Sequence, residues 1–300
     1  MPAELTWGPL GAASASDVAD LAERCRAVDG GLTEVAISRY RDSDAITSAG
    51  RTAAGELVAV AVVRRVGERA MITGMVDPAH RGVGVGSRLL DWALAAAGTF
   101  TSDVVLETEA VTPEAERLFE SRGLRQVFAE DVMRIDLSTD LPLVPVPAGV
   151  RMITWAPETV ARFFAVHEAA FRERPGFPGW PAERWVAWTA GDDEFRPDWS
   201  LLATEAPESI IDAAPESAAD LGFVTCADGW IVQVGVRPEA RGRGIATALV
   251  VEALRRMRAD GATAALLDVN VNNPGAARLY ARLGFSVLGR RARFEPVRAS

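Results

Sequence analysis

Apolar positions run in two different periods along the second half of this chain, and the alternation between them lays out its elements. Short β-branched runs read as strands: residues 149–156 (GVRMITWA), 199–205 (WSLLATE), 221–227 (LGFVTCA), 230–238 (WIVQVGVRP), 263–270 (TAALLDVN) and 285–296 (FSVLGRRARFEP). Between them the period lengthens to that of a helix. Residues 157–173 (PETVARFFAVHEAAFRE) predict one helix and 181–190 (PAERWVAWTA) a shorter one. A third begins at Gly244, with Ala246, Leu249, Val250, Ala253 and Met257 as its apolar stripe, and a fourth begins at Pro274. Residues 206–220 (APESIIDAAPESAAD) are small and acidic and read as a loop. Strands and helices interleaved in this way predict an α/β (α+β mixed sheet) layer fold.

The first half repeats the second. "PAHRGVGVGSRL" at 78–89 echoes "PEARGRGIATAL" at 238–249, with an offset of 160 residues. "TPEAERLFESRGL" at 112–124 echoes "NPGAARLYARLGF" at 273–285, with an offset of 161. A near-constant offset across two separate motifs indicates internal duplication. Three prolines in six residues mark a linker between the copies, because proline favours extended chain. The expected organisation is a first domain at 1–138, a proline-rich linker at 139–149 and a second domain at 150–300.

The first motif joins a strand to a helix through glycines. Pro238 stops the strand ladder, and Gly242 and Gly244 let the backbone turn and approach a ligand closely. The next helix presents unpaired backbone N–H groups at the positive end of its dipole, which suits a phosphate. Arg241 and Arg243 flank the spot and add charge-assisted hydrogen bonds. By itself this is also what an ordinary turn looks like. In the second motif Ala276, Leu279, Tyr280 and Leu283 share one helix face, so Tyr280 is held among apolar neighbours, either as packing or with its hydroxyl in use.

Both motifs, in this order and about thirty residues apart, resemble the Gcn5-related N-acetyltransferase (GNAT) family. The resemblance spans both halves and implies two tandem GNAT-like domains. It implies that Arg241, Gly242, Arg243, Gly244, Ile245 and Ala246 hold the pyrophosphate of acetyl-CoA. It implies that Val234, Gly235 and Val236 pair with the pantetheine arm and polarise the thioester carbonyl. It places Asn273 at the cofactor and makes Tyr280 the acid that protonates the leaving thiolate. These residue types suit the chemistry, since a fixed N–H stabilises a developing oxyanion without reorganising. The first half keeps Arg81, Gly82, Val83, Gly84, Val85 and Gly86 as a corresponding phosphate element. It has Thr112 in place of Asn273 and Phe119 in place of Tyr280, and Phe119 has no proton to give. It is therefore expected to be non-catalytic, as a CoA-like binding site or as a scaffold.

The expected activity is acetyl-CoA-dependent transfer to a primary amine of a small molecule, with a non-catalytic acetyl-CoA sensor as the rival reading. The tandem arrangement and the stretch 167–180 are similar to the mycothiol synthase family, which acetylates a cysteinyl-glucosaminyl-inositol. Three positions depart from that family's pattern: Trp230 stands where it has a glutamate base, Gly176 where it has an acid and Ala227 where it has a lysine. Asp228, Asp268 and Glu173 are candidate bases. His167 reads as a packed or surface histidine, and Trp180, Trp185, Trp188 and Trp199 as core or as walls of an acceptor pocket.

Composition narrows the partners. All 32 basic residues are arginine, the net charge is −9, and no long basic run exists, which argues against nucleic acid. The two cysteines are far apart and without metal-ligand spacing. The N-terminus carries no basic and apolar leader pattern, and no run of 18 apolar residues occurs, so no membrane partner and a cytoplasmic location are expected. Oligomeric state leaves no mark in the sequence.

Overall fold

A computed structural model describes residues 4–11, 15–32, 40, 44–174, 176–206 and 218–297. Most of the acidic loop expected at 206–220 lies outside the described residues. The strands are β1 (Thr6–Gly8), β2 (Ile46–Arg51), β3 (Leu57–Val66), β4 (Arg69–Val76), β5 (Val104–Thr108), β6 (Leu124–Asp136), β7 (Val150–Thr154), β8 (Leu201–Glu205), β9 (Asp220–Ala227), β10 (Trp230–Val236), β11 (Ala264–Asn270) and β12 (Ser286–Pro296). The helices are α1 (Ala15–Asp29), α2 (Val85–Gly98), α3 (Pro113–Glu120), α4 (Val160–Phe171), α5 (Ala182–Ala190), α6 (Ile245–Ala259) and α7 (Pro274–Arg282). Pro157 precedes α4 by a turn rather than opening it, and Thr159 stands at the cap position.

The chain packs as two compact units. Unit 1 is Met1–Val132 with Val269–Asn272 and Val287–Ser300, and unit 2 is Met133–Asp268 with Asn273–Ser286. This division does not follow the sequence repeat, because most of the last strand of the second copy completes unit 1.

In unit 1 the strands run in the order β1-β2-β3-β4-β5-β12. The β1 to β4 pairs are antiparallel, β4–β5 is parallel, and β12 pairs antiparallel with β5 through Ala292↔Thr108, Arg293↔Glu107 and Phe294↔Leu106. Helices cover both faces, so Leu57–Val63 is buried at every position. Ala59, Ala61 and Val63 pack with Leu89, Leu90 and Ala93 of α2, whereas Val60 and Val62 pack with Val18 and Leu21 of α1. Strand alternation produces this split. Phe294, fully buried, joins the α2 side of the core.

Unit 2 orders its strands β11-β10-β9-β8-β7, with β10–β11 parallel and the rest antiparallel. Along β9, Gly222 faces Ile245 of α6, while Phe223 packs in the apolar cluster of Phe163, Val166 and Trp185 on α4 and α5.

One feature of each unit positions a site. The β4–β5 pairing ends at Ile72↔Leu106, and the β10–β11 pairing ends at Ile231↔Leu267. On their other edges β4 and β10 stay paired as far as Val76 and Val236. Each parallel pair therefore splays, leaving one edge of β4 and of β10 unpaired at its C-terminal end. In β10 an extra residue, Val232, also breaks the register with β9. Such a bulge bends a strand and re-aims the residues beyond it. The β3–β4 register has no shift.

Candidate active site

The glycine turn of unit 2 forms as the sequence predicts. Gly242 and Gly244 have φ of 79° and 78°, the left-handed region that suits glycine. Gly244 caps α6 without a side chain, so the first N–H groups of Ile245 and Ala246 are open to a ligand. Arg241 makes two contacts with backbone carbonyls. Its Nε donates to the Val236 carbonyl at 3.3 Å and its guanidinium donates to the Ala170 carbonyl at 3.2 Å. It ties the turn to the end of β10 and to α4, as a positioning residue. Arg243 is exposed in the turn, and no carboxylate pairs with it among the described residues.

Val234, Gly235 and Val236 lie on β10 beyond the splay. Gly235 is required there: a Cβ would come within 2.5 Å of Phe223 Cε1, 3.0 Å of Ala170 Cβ and 3.2 Å of Phe171 Cε2. Helix α4 is thus pressed onto this stretch of strand. The side chain of Asn273 accepts the Ala276 N–H at 3.2 Å, with Pro274 as the first residue of α7. Thr112 accepts the Ala115 N–H at 3.2 Å in the same way, ahead of Pro113. Asn and Thr both satisfy an orphan donor at a helix start, so the pair is one cap written in two residue types. Tyr280 is buried on α7 against Phe285, with ring centroids 5.8 Å apart. Burial pushes its hydroxyl up to about 12, which keeps it a proton donor throughout the working range.

The expected base candidates are less suited. Glu173 and Asp268 are exposed, and Asp228 pairs with Arg196 at 2.9 Å in the turn before β10. The four tryptophans separate. Trp185 is core, and Trp199 is buried with its Nε1 donating to Asp260 at 2.6 Å. Trp180 and Trp188 meet edge to face at 5.9 Å, and Trp188 remains 49% exposed.

His167 is buried and stacked on Trp185 at 4.8 Å, with Phe171 and Phe177 also in contact. Burial lowers its pKa to about 4. The unfolded chain takes up this proton near pH 6.5 and the folded chain does not. Stability present at neutral pH is therefore lost as pH falls from about 6.5 to 4, by about 3 kcal/mol. Denaturant unfolding of His167→Phe is expected to lose about 3 kcal/mol less stability across that interval than the wild type. An equal loss would remove His167 as the cause.

Unit 1 holds the corresponding slot as a cavity of about 440 Å³. Its lining includes Arg81, Gly82, Gly84 and Gly86 of the first motif and Thr112, Leu118 and Phe119 of the second. Gly82 and Gly84 repeat the left-handed turn, with φ of 75° and 90°. Val83 and Val85 follow the motif, Val83 being exposed where unit 2 has Arg243. Arg81 Nε donates to the Val76 carbonyl at 2.9 Å, as Arg241 does to Val236. Its other nitrogens pair bidentately with Asp29, at 2.7 and 2.6 Å. The charge that the motif brings to the turn is thereby neutralised. Phe119 packs edge-on against Phe294 at 4.9 Å. Cys25 also lines the cavity, and burial pushes its thiol up to about 11, which makes it an inert wall. Asp29 carried no sequence signal, since it lies 52 residues from Arg81.

Comparison with known proteins places this geometry. The model of the "Acetyltransferase (GNAT) family" matches residues 18–124 and again 177–285. The chain belongs to this family, as two tandem GNAT domains, and is an N-acetyltransferase. Members of the family use acetyl-CoA as cosubstrate. The chain is 34% identical to the mycothiol acetyltransferase of Nocardia farcinica over 72% of its own length and 71% of that protein. With the mycothiol acetyltransferase of Frankia alni it shares 28% identity over 95% and 92%. A GCN5-related N-acetyltransferase from Sphaerobacter thermophilus superposes with TM-score 0.73 at 27% identity, covering 97% of this chain and 95% of that one. A tandem GNAT protein from the clavulanic acid biosynthesis pathway shares the fold, with TM-score 0.61 at 17% identity over 99% and 100%. Among the described residues no helix is long and apolar enough to cross a membrane.

Proposed function

We propose that the second half, residues 150–300, transfers the acetyl group of acetyl-CoA to a primary amine of a small molecule in the cytoplasm. The observation that carries this reading is one difference between two matching frames. Both halves keep the splayed strands, the glycine turn and the capped second helix, but only the second places a buried proton donor, Tyr280, where the first has Phe119. A sensor would need the frame and not the donor. The bulge at Val232 points the same way, because it re-aims the edge of β10 next to the acetyl position only in this half.

In this reading the pantetheine arm lies along Val234–Val236, and the pyrophosphate sits on the N–H groups of Gly242–Ala246 beside Arg243. The amine nitrogen attacks the thioester carbon, and a β10 N–H holds the oxyanion. The C–S bond then breaks, the sulfur receives the Tyr280 proton, and the phenol recovers one from the nitrogen. With the candidate carboxylates exposed or paired, the acceptor enters as the free amine. The rate then rises with pH until the amine's own pKa, about 10.4 for an aliphatic amine.

Unit 1 in this proposal is a second, weaker site for a CoA-like molecule, without turnover. Its cavity is open and its turn is formed, but Asp29 holds Arg81 and Val83 brings no charge. Arg243→Glu is therefore expected to weaken one of two acetyl-CoA sites by about 10–100-fold, the range of one charge-assisted bond, and to leave the other unchanged. Calorimetry separates the two. Unchanged affinity at both would mean the phosphates lie elsewhere.

The relatives are mycothiol acetyltransferases, and the resemblance implies a cysteinyl-glucosaminyl-inositol as the acceptor of that family, whereas Trp230, Gly176 and Ala227 depart from the pattern it implies. Free-thiol release from acetyl-CoA against amino acids, aminosugars, polyamines, peptides and that compound decides. Release with one class, lost in Tyr280→Phe, supports the proposal. Silence across the panel with acetyl-CoA still bound overturns it.

A further inference from the structure

We infer that Gln233 is a specificity-determining residue of the proposed transferase site, and that it selects amines carrying a hydrogen-bond-accepting oxygen near the reacting nitrogen. The inference rests on the reading that unit 2 acetylates a small amine.

Gln233 stands out as an uncharged amide inside the apolar run of β10. It lies immediately after the bulge at Val232 and immediately before Val234, past the last β11 pairing at Ile231↔Leu267. It therefore borders the gap where the thioester would lie. Its side chain is half-buried, and its Oε1 accepts the indole N–H of Trp185 at 3.2 Å. This contact settles the orientation of the amide. An indole nitrogen can only donate, so the oxygen must face Trp185 and the nitrogen must face away. Trp185 itself is immobilised: it is 1% exposed and packed against His167, Phe164, Trp155 and Phe223.

The two N–H groups on Nε2 have no protein partner among the described residues. A rigidly held amide with its donors unspent recognises an acceptor atom, that is, a carbonyl, hydroxyl or ether oxygen. It offers nothing to an alkyl chain. A site built to bond such a group discriminates strongly against the analogue that lacks it, because the donors are then left dry. Trp185 is the positioning residue of this pair.

The test uses the full-length protein and two amines of matched size, 2-methoxyethylamine and n-butylamine. The ether oxygen of the first accepts and cannot donate. Acetyl transfer is followed by free-thiol release. The ether oxygen also makes its ammonium the more acidic of the two, so kcat/KM is expressed per concentration of free amine, and the ratio then expected favours the ether amine by about 10-fold or more. Gln233→Glu keeps the oxygen that Trp185 donates to, and so the packing, but removes both donors. It is expected to bring the ratio to within about 3-fold of one while leaving the KM for acetyl-CoA unchanged. Gln233→Leu should do the same, with circular dichroism checking the fold since it orphans the indole. Trp185→Phe frees the amide to rotate and should lower the ratio partway without moving the KM for acetyl-CoA. Transfer with no preference in the wild type, or a preference that survives Gln233→Glu, overturns the assignment and leaves the transferase reading standing. Acetyl-CoA bound but no transfer to any amine takes both down.

Discussion

Tyr280→Phe is expected to slow acetyl transfer by about 10²–10⁴-fold while leaving the affinity for acetyl-CoA unchanged, as read by free-thiol release and by calorimetry. The substitution removes one oxygen from a side chain that is already buried against Phe285, so the packing of α7 survives. What is lost, in the proposed mechanism, is the O–H that gives its proton to the sulfur as the C–S bond breaks. A thiolate with pKa near 8.5 is a fair leaving group, which is why the loss slows the reaction and does not abolish it. The pH profile separates this role from a structural one. Burial holds the Tyr280 hydroxyl at about 12, so it stays protonated across the rising limb set by the acceptor amine. The variant should keep that limb, with the same slope and midpoint, at a lower height. A shifted midpoint would mean that Tyr280 acts through the amine's ionisation. Equal rates would remove it from the mechanism.

Phe294→Ala is expected to destabilise unit 1 by about 3–5 kcal/mol, the range for deleting a buried aromatic ring. Phe294 is fully buried, packs among Leu89, Leu106 and Leu124, and meets Phe119 at the cavity wall. The residue lies near the end of the chain, on the second copy of the repeat, yet its packing is in the first unit. Denaturant unfolding measures the loss, and a change below about 1 kcal/mol would show that β12 is not part of that core. The same placement predicts that a fragment ending at the 139–149 linker lacks a strand of unit 1 and does not fold as that unit. Cutting the linker of the intact chain leaves β12 available and is the gentler perturbation.

Much of the fold was legible in order and type. Strand and helix periods located the strands and α-helices described in the second half. Proline after a capping residue set the starts of α3 and α7, and paired glycines set the starts of α2 and α6. These are local signals, carried by backbone and by near neighbours in the chain. The duplication was legible for the same reason, since it is a property of spacing alone.

The candidate site was legible in its backbone geometry and less so in its side-chain contacts. The glycine turns and Gly235 are where the motifs put them, because only glycine tolerates the φ or the close approach found there. Arg241 fits the motif, but its guanidinium turns back onto the Val236 and Ala170 carbonyls. Asn273 and Thr112 differ in sequence, yet each side chain makes the same cap on the helix that follows it. A donor's partner depends on what the fold brings within 3 Å, and no spacing rule encodes it. Gln233 left a visible trace, a polar residue in an apolar strand, but its orientation needed Trp185, 48 residues earlier.

The sequence by itself determined the element order, the tandem repeat, the left-handed turns at the helix starts and the presence of one tyrosine where the other copy has phenylalanine. Each follows from residue identity acting over a few neighbours. Tertiary structure alone decided the rest: Asp29 neutralises Arg81, β10 carries a bulge where β4 does not, and the final strand completes unit 1. These depend on contacts between residues distant in the chain, where packing and hydrogen-bond satisfaction, rather than local propensity, choose the partner.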